Sequence, residues 1–77
     1  MSRKIKLIWD FKGLNAENTA KHHEIHLKEY LILEQLPLET TGFDNFSEVH
    51  SIAFMVVDEN DMILFRDKLK PHRAEVY

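Results

Sequence analysis

Seventy-seven residues allow one domain with a single sheet and two helices, near the lower end of what one core stabilises unaided. The chain has no cysteine, which excludes disulfides, thiolate metal sites and thiol catalysis and leaves self-association as the way to bury more surface. A hydrophobic share of 44% beside 30% charged residues is too apolar for disorder, and a net charge of −3 with both signs interspersed gives no footprint for nucleic acid or an anionic membrane.

Met1-Ser2-Arg3-Lys4 leads straight into a strand without a signal-peptide pattern, and no apolar run approaches the ~18 residues of a membrane span, so the expected location is the cytoplasm. From Lys4 to Phe11 the residues alternate, with Ile5, Leu7, Trp9 and Phe11 on one side and Lys4, Lys6, Ile8 and Asp10 on the other. That is the pattern of a half-buried strand. Gly13 breaks it, and Asn15 is placed to cap a helix with Glu17 favourable in its first turn. The helix is predicted over Ala16 to Leu36, with Ala16, Ala20, His23, Leu27, Tyr30 and Leu31 as its sheet-facing stripe and Pro37 as its stop. These 21 residues reach about 31 Å, against about 26 Å for an eight-residue strand. The last turn is therefore expected to overhang the sheet, carrying Ile32, Leu33 and Leu36. Ile25, Ile32 and Leu36 form a second ridge, opposite the stripe, that suits a partner chain or the segment that follows.

Leu38 to Phe43 reads as a second strand, with Gly42 marking a bulge or an early end, and Asp44-Asn45 as the turn after it. The third strand, about His50 to Val57, holds six consecutive apolar residues from Ile52 onward. It therefore calls for cover on both faces. Asp58 is expected to cap a second helix together with Asp61; Met62, Phe65 and Leu69 mark its buried side, Lys68 and Lys70 suit its end, and Pro71 stops it. His72 to Tyr77 is the last predicted strand.

The order β-α-β-β-α-β with right-handed crossovers predicts an α+β fold over residues 1–77: a ferredoxin-like plait, with a four-stranded antiparallel sheet and both helices on one face. Its central strands would be the first and third, the two most apolar. Because the third is apolar on both sides, the open face is expected to meet a second sheet, giving a homodimer.

Chemistry concentrates in Lys21-His22-His23-Glu24-Ile25-His26. His22 and His26 stand one helical turn apart, a spacing that offers two imidazoles to one zinc or nickel ion. His72 is expected at the sheet end where the helix begins, together with Asp10 and Asp58, and His50 at the other end. A metal site would thus comprise His22, His26 and His72, with Asp10 or Glu24 as an oxygen ligand. Trp9, His23, His26 and Tyr30 form a second constellation, able to line a small-ligand pocket between sheet and helix. The plain alternative is that Trp9, His23 and Tyr30 fill the core and the flanking histidines are solvated. No base is positioned beside the serines and threonines, so no catalytic residue is assigned.

His50-Ser51-Ile52-Ala53-Phe54-Met55-Val56-Val57 has the outline of the RNA-recognition-motif octamer at Ala53, Phe54 and Met55. The basic opening residue, the glycine and two aromatics are replaced by His50, Ser51, Ile52 and Val57, which removes most of the stacking platform. In element order, in its first strand Ile5 to Phe11, in its His-rich helix and in the paired strand Ile52 to Val57, the chain resembles small uncharacterised bacterial proteins of the ferredoxin-like, dimeric α+β-barrel type. That resemblance implies sheet-to-sheet dimers. It brings in haem-handling monooxygenases and stress-responsive barrel proteins, so no one activity follows from it. The leading expectation is a homodimeric domain that binds a small ligand or a partner. The alternatives are a small enzyme of the monooxygenase or isomerase kind and a histidine-mediated metal binder.

Overall fold

The computed structural model describes residues 3–35 and 40–77. Leu36, Pro37 and Leu38, expected to end the first helix and open the second strand, lie outside the described residues. The elements are β1 (Lys4–Lys12), α1 (Ala16–Leu33), β2 (Thr40–Ser47), β3 (His50–Asp58), a 3-10 turn (Glu59–Asp61), α2 (Met62–Leu69) and β4 (Arg73–Val76). The strands form one antiparallel sheet in the order β2-β3-β1-β4, so the architecture is α+β and compatible with a ferredoxin-like plait.

The alternation of β1 sends Ile5, Leu7 and Trp9 into a core with Met55 and Val57 of β3, Leu27 and Leu31 of α1 and Phe65 of α2. Both helices therefore cover the same face. Trp9 lies opposite Ala53, a small residue that leaves room for the indole, whose Nε1–H donates to the Leu69 carbonyl at 3.1 Å. One aromatic side chain thus fills the core and ties down the last turn of α2. Burying Leu27 or Leu31 contributes about 1.5–3 kcal/mol each, and this, rather than capping, holds α1. Asn15 occupies the cap position without a side-chain bond; its carbonyl instead accepts from both the backbone and the hydroxyl of Thr19, each at 3.0 Å.

On the opposite face no helix lies over β1 and β3, yet Ile8, Ile52 and Val56 are only 1%, 1% and 4% exposed. The Phe54 ring lies across Gly42, where an added Cβ would sit 2.6 Å from its Cζ, and Lys6 Nζ stands 4.4 Å above the ring centroid. Gly42 is thus required by a close approach; the bulge falls later, between Asn45 and Ser47.

Four expectations are corrected here. β2 runs through Asp44-Asn45, and the turn comes at Glu48-Val49, because the Asn45 carboxamide accepts from the buried Ser51 hydroxyl across the hairpin at 3.0 Å. α1 ends at Leu33 rather than at Leu36, followed by Gln35 with φ 56°; its 18 residues span about 27 Å against about 30 Å for β1, and Ile32 and Leu33 at its end are exposed. β3 runs antiparallel to β1 and begins opposite Lys12, which puts His50 at the same end as Asp10. For the same reason Asp58 falls at the other end, opposite Lys4, and pairs with it at 3.8 Å without making a cap bond.

Candidate functional site

Asp10 joins three strands. Its backbone N–H donates to His72 Nδ1 at 2.8 Å, so that nitrogen carries no proton. Its carboxylate, on the open face, accepts a fork from Arg73, Nε to Oδ2 at 2.9 Å and Nη2 to Oδ1 at 3.2 Å. His50 Nε2 lies 2.9 Å from Oδ1, and Arg73 Nη1 also donates to Glu75 at 2.7 Å. The Arg73 hydrogen bonds hold the Asp10 carboxyl at about 2, well below its ordinary 3.8, against the opposing effect of burial and with His50 adding to the depression. Bonding to Asp10 likewise raises Arg73. A carboxylate this firmly ionised and bidentately bound does not trade protons near neutrality. The cluster fastens the strand ends.

The predicted ligand-binding residues divide into two pairs. Trp9 is buried and bonded to α2. His23 is half-buried, its ring centroid 4.9 Å from Trp9 and 5.4 Å from Phe11, and its buried Nε2 has no hydrogen-bond partner among the described residues. Burial first, then the nearby His26 and His72, lower its pKa. Trp9 and His23 are therefore interior groups. His26 and Tyr30 instead line an open groove of about 520 Å³ together with Glu29, Ile32 and Leu33. Ile32 and Leu33 are 66% and 82% exposed. Sequence reasoning found these two as apolar residues at the end of the helix but left Glu29 out, because a lone glutamate on an exposed helix carries no signal of its own.

The predicted metal ligands are placed as follows. His22 and His26 are exposed on α1, while His72 is engaged with the Asp10 N–H and lies 6.3 Å from the Phe11 ring. Asp10 is bound by Arg73, and Glu24 faces β2, accepting from Thr41 at 3.4 Å and pairing with Lys28 at 3.4 Å. Among the described residues no three or more histidines and carboxylates are gathered closely enough to hold a metal ion.

In comparisons with known proteins, no family model, no curated protein and no solved structure matches the chain. No helix among the described residues is long and apolar enough to cross a membrane.

Proposed function

We propose that the chain is a ferredoxin-like plait acting as a small binding domain, and that the groove along α1 lined by His26, Glu29, Ile32 and Leu33, with the half-buried Tyr30 at its inner edge, is its recognition surface. The carrying observation is the exposure of Ile32 and Leu33 beside the groove, in a chain that buries its other α1 leucines, Leu27 and Leu31. Large aliphatic side chains gathered in a concavity are the usual mark of a docking site. A sheet-to-sheet homodimer has less to gain, because Ile8, Ile52 and Val56 are already covered and Phe54 is the half-buried residue left in the middle of that face.

Nile red, an uncharged apolar dye, tests this reading when titrated into 15N-labelled protein. Amide shifts are expected at His26, Glu29, Tyr30 and Leu33, with affinity reduced about tenfold by Leu33→Asp, the loss typical of a central apolar anchor. Shifts centred on Phe54 and Phe46 would move recognition to the sheet, and a spectrum that does not change would end the proposal.

A further inference from the structure

The two edges of the sheet are built differently. β4 is four residues long and carries Arg73 and Glu75, a short charged edge of the kind that discourages further pairing. β2 at the other edge has eight residues, Thr40–Ser47, with Asp44 its one charged residue, and it runs in register with β3 until the irregularity between Asn45 and Ser47. Among the described residues nothing pairs with its outer side. Backbone groups alternate in direction along a strand. The Ile8 carbonyl faces β4, where it accepts from His72 N–H, and Gly13 N–H donates across the β1–β3 hairpin to Val49, so the odd-numbered residues of β1 and β3 bond each other. Thr40, Gly42 and Asp44 therefore turn to β3, and the N–H and C=O groups of Thr41 and Phe43 point outward.

α1 leans over β3 and β2 rather than β1, and its flank beside this edge alternates in sign: Glu17, Lys21, Glu24, Lys28, paired at 3.4 Å as Lys21 with Glu17 and Lys28 with Glu24. Thr41 bonds Glu24 at 3.4 Å, while Lys21 Nζ stands 5.4 Å from the Phe43 ring centroid. Gly42 is thus level with the point midway between Lys21 and Glu24.

We infer that a second copy of this chain adds its β2 to this edge, antiparallel about a two-fold axis at Gly42, to make one continuous eight-stranded sheet. Thr41 then exchanges both main-chain bonds with Phe43 of the partner subunit, and symmetry repeats the exchange. Asp44 comes opposite Thr40 of the partner subunit. In the helical layer Lys21 comes level with Glu24 of the partner subunit and Glu17 with Lys28 of the partner subunit, so every charge keeps its own-chain partner and gains an opposite one. Other registers lose this match: centring the axis on Thr41, Phe43 or Asp44 sets Glu24, Lys21 or Asp44, respectively, against its own copy. With strands about 4.8 Å apart the two α1 helices lie roughly 10 Å from each other, a packing distance. The contact measures roughly 18 Å along α1 by about 20 Å through sheet and helix, about 350 Å² per copy, which is below a standard interface and corresponds to a weak dimer with Kd on the order of 100 µM. The inference is independent of the groove, because His26, Tyr30 and Leu33 lie on the other flank of α1.

Sedimentation equilibrium of the full chain from about 10 µM to 1 mM tests it, with circular dichroism confirming that each variant folds. Thr41→Pro removes an outward N–H that the single chain leaves unbonded, and it should abolish the dimer. Lys21→Glu and Glu24→Lys should each, alone, weaken self-association about tenfold, since each sets two like-charged pairs across the axis. An equimolar mixture of these two variants should recover the wild-type affinity, because in the mixed dimer both pairs are again opposite in sign; no change within one chain explains that recovery. Recovery supports the pairing even where Thr41→Pro fails to fold. A wild-type chain that stays monomeric at about 1 mM overturns it, as does a dimer that tolerates Thr41→Pro or a mixture that associates no better than its components.

Discussion

Replacing Asp10 with asparagine keeps the side chain's size and one acceptor oxygen while removing the charge that Arg73 and His50 share. A carboxyl moved from 3.8 to about 2 corresponds to roughly 2 kcal/mol of preference for the native state. The Asp10 and Arg73 side chains are 21% and 41% exposed, and solvent screening of a pair partly in water leaves about 1 kcal/mol of that. In a domain of this size such a loss lowers Tm by about 4–8 °C. Because the folded-state pKa is depressed, the contribution is present above the ordinary carboxyl value and is lost as pH falls from about 4 towards 2. Urea denaturation of wild type and Asp10→Asn, followed by circular dichroism at intervals from pH 7 to pH 2, should show a gap of about 1 kcal/mol that closes over that interval. Equal stabilities at pH 7, or a gap that persists undiminished at pH 2, would refute the role given to the carboxylate.

Three further outcomes are expected. His23, with its pKa lowered chiefly by burial, favours folding when neutral; its contribution is complete above the ordinary histidine value and lost as pH falls below it, so His23→Phe should flatten the decline in stability on the acid side of pH 6.5, read from urea midpoints. Trp9→Phe removes the bond to the Leu69 carbonyl and leaves a void beside Ala53, costing about 1–3 kcal/mol in equilibrium unfolding. Equimolar zinc should leave the imidazole resonances of His22, His26 and His72 in place, since the described residues gather no group of three ligands; shared movement of all three resonances would contradict the geometry.

The apolar run from Ile52 to Val57 and the alternation of β1 were enough to place the two central strands, because burial on both faces leaves a pattern that needs no partner to be read. Individual polar side chains were less legible. Asn45 has the composition of a turn residue but is claimed by the Ser51 hydroxyl on the neighbouring strand, a contact that exists only once the hairpin is in register. Asn15 and Asp58 stand at helix starts without a side-chain cap bond; Asp58 pairs instead with Lys4 across the strands. The misplacement of His50 has a simpler cause: a strand antiparallel to β1 must begin where β1 ends, so His50 was bound to lie near Asp10 once the strand directions were followed through. Gly42 looked like an interruption because the Phe54 ring that needs its missing side chain lies on another strand.

These cross-strand contacts also decide where the chain can meet another molecule. A two-sided apolar strand needs cover, but a flat aromatic ring and the long aliphatic stems of lysine and arginine can provide it without a second sheet. Phe54 folds onto Gly42 under Lys6, while Arg73, opposite Ile8 in the register, is held in place by Asp10 and Glu75. The sheet face thus already holds contacts that the single chain makes for itself. At the ends of α1 and α2 nothing comparable is lost: Leu33 and Ile63 are exposed, and Glu29 gives up no salt bridge among the described residues. Burying those side chains gains apolar area at little cost, which favours the helical layer over the open sheet face as the place to meet another molecule.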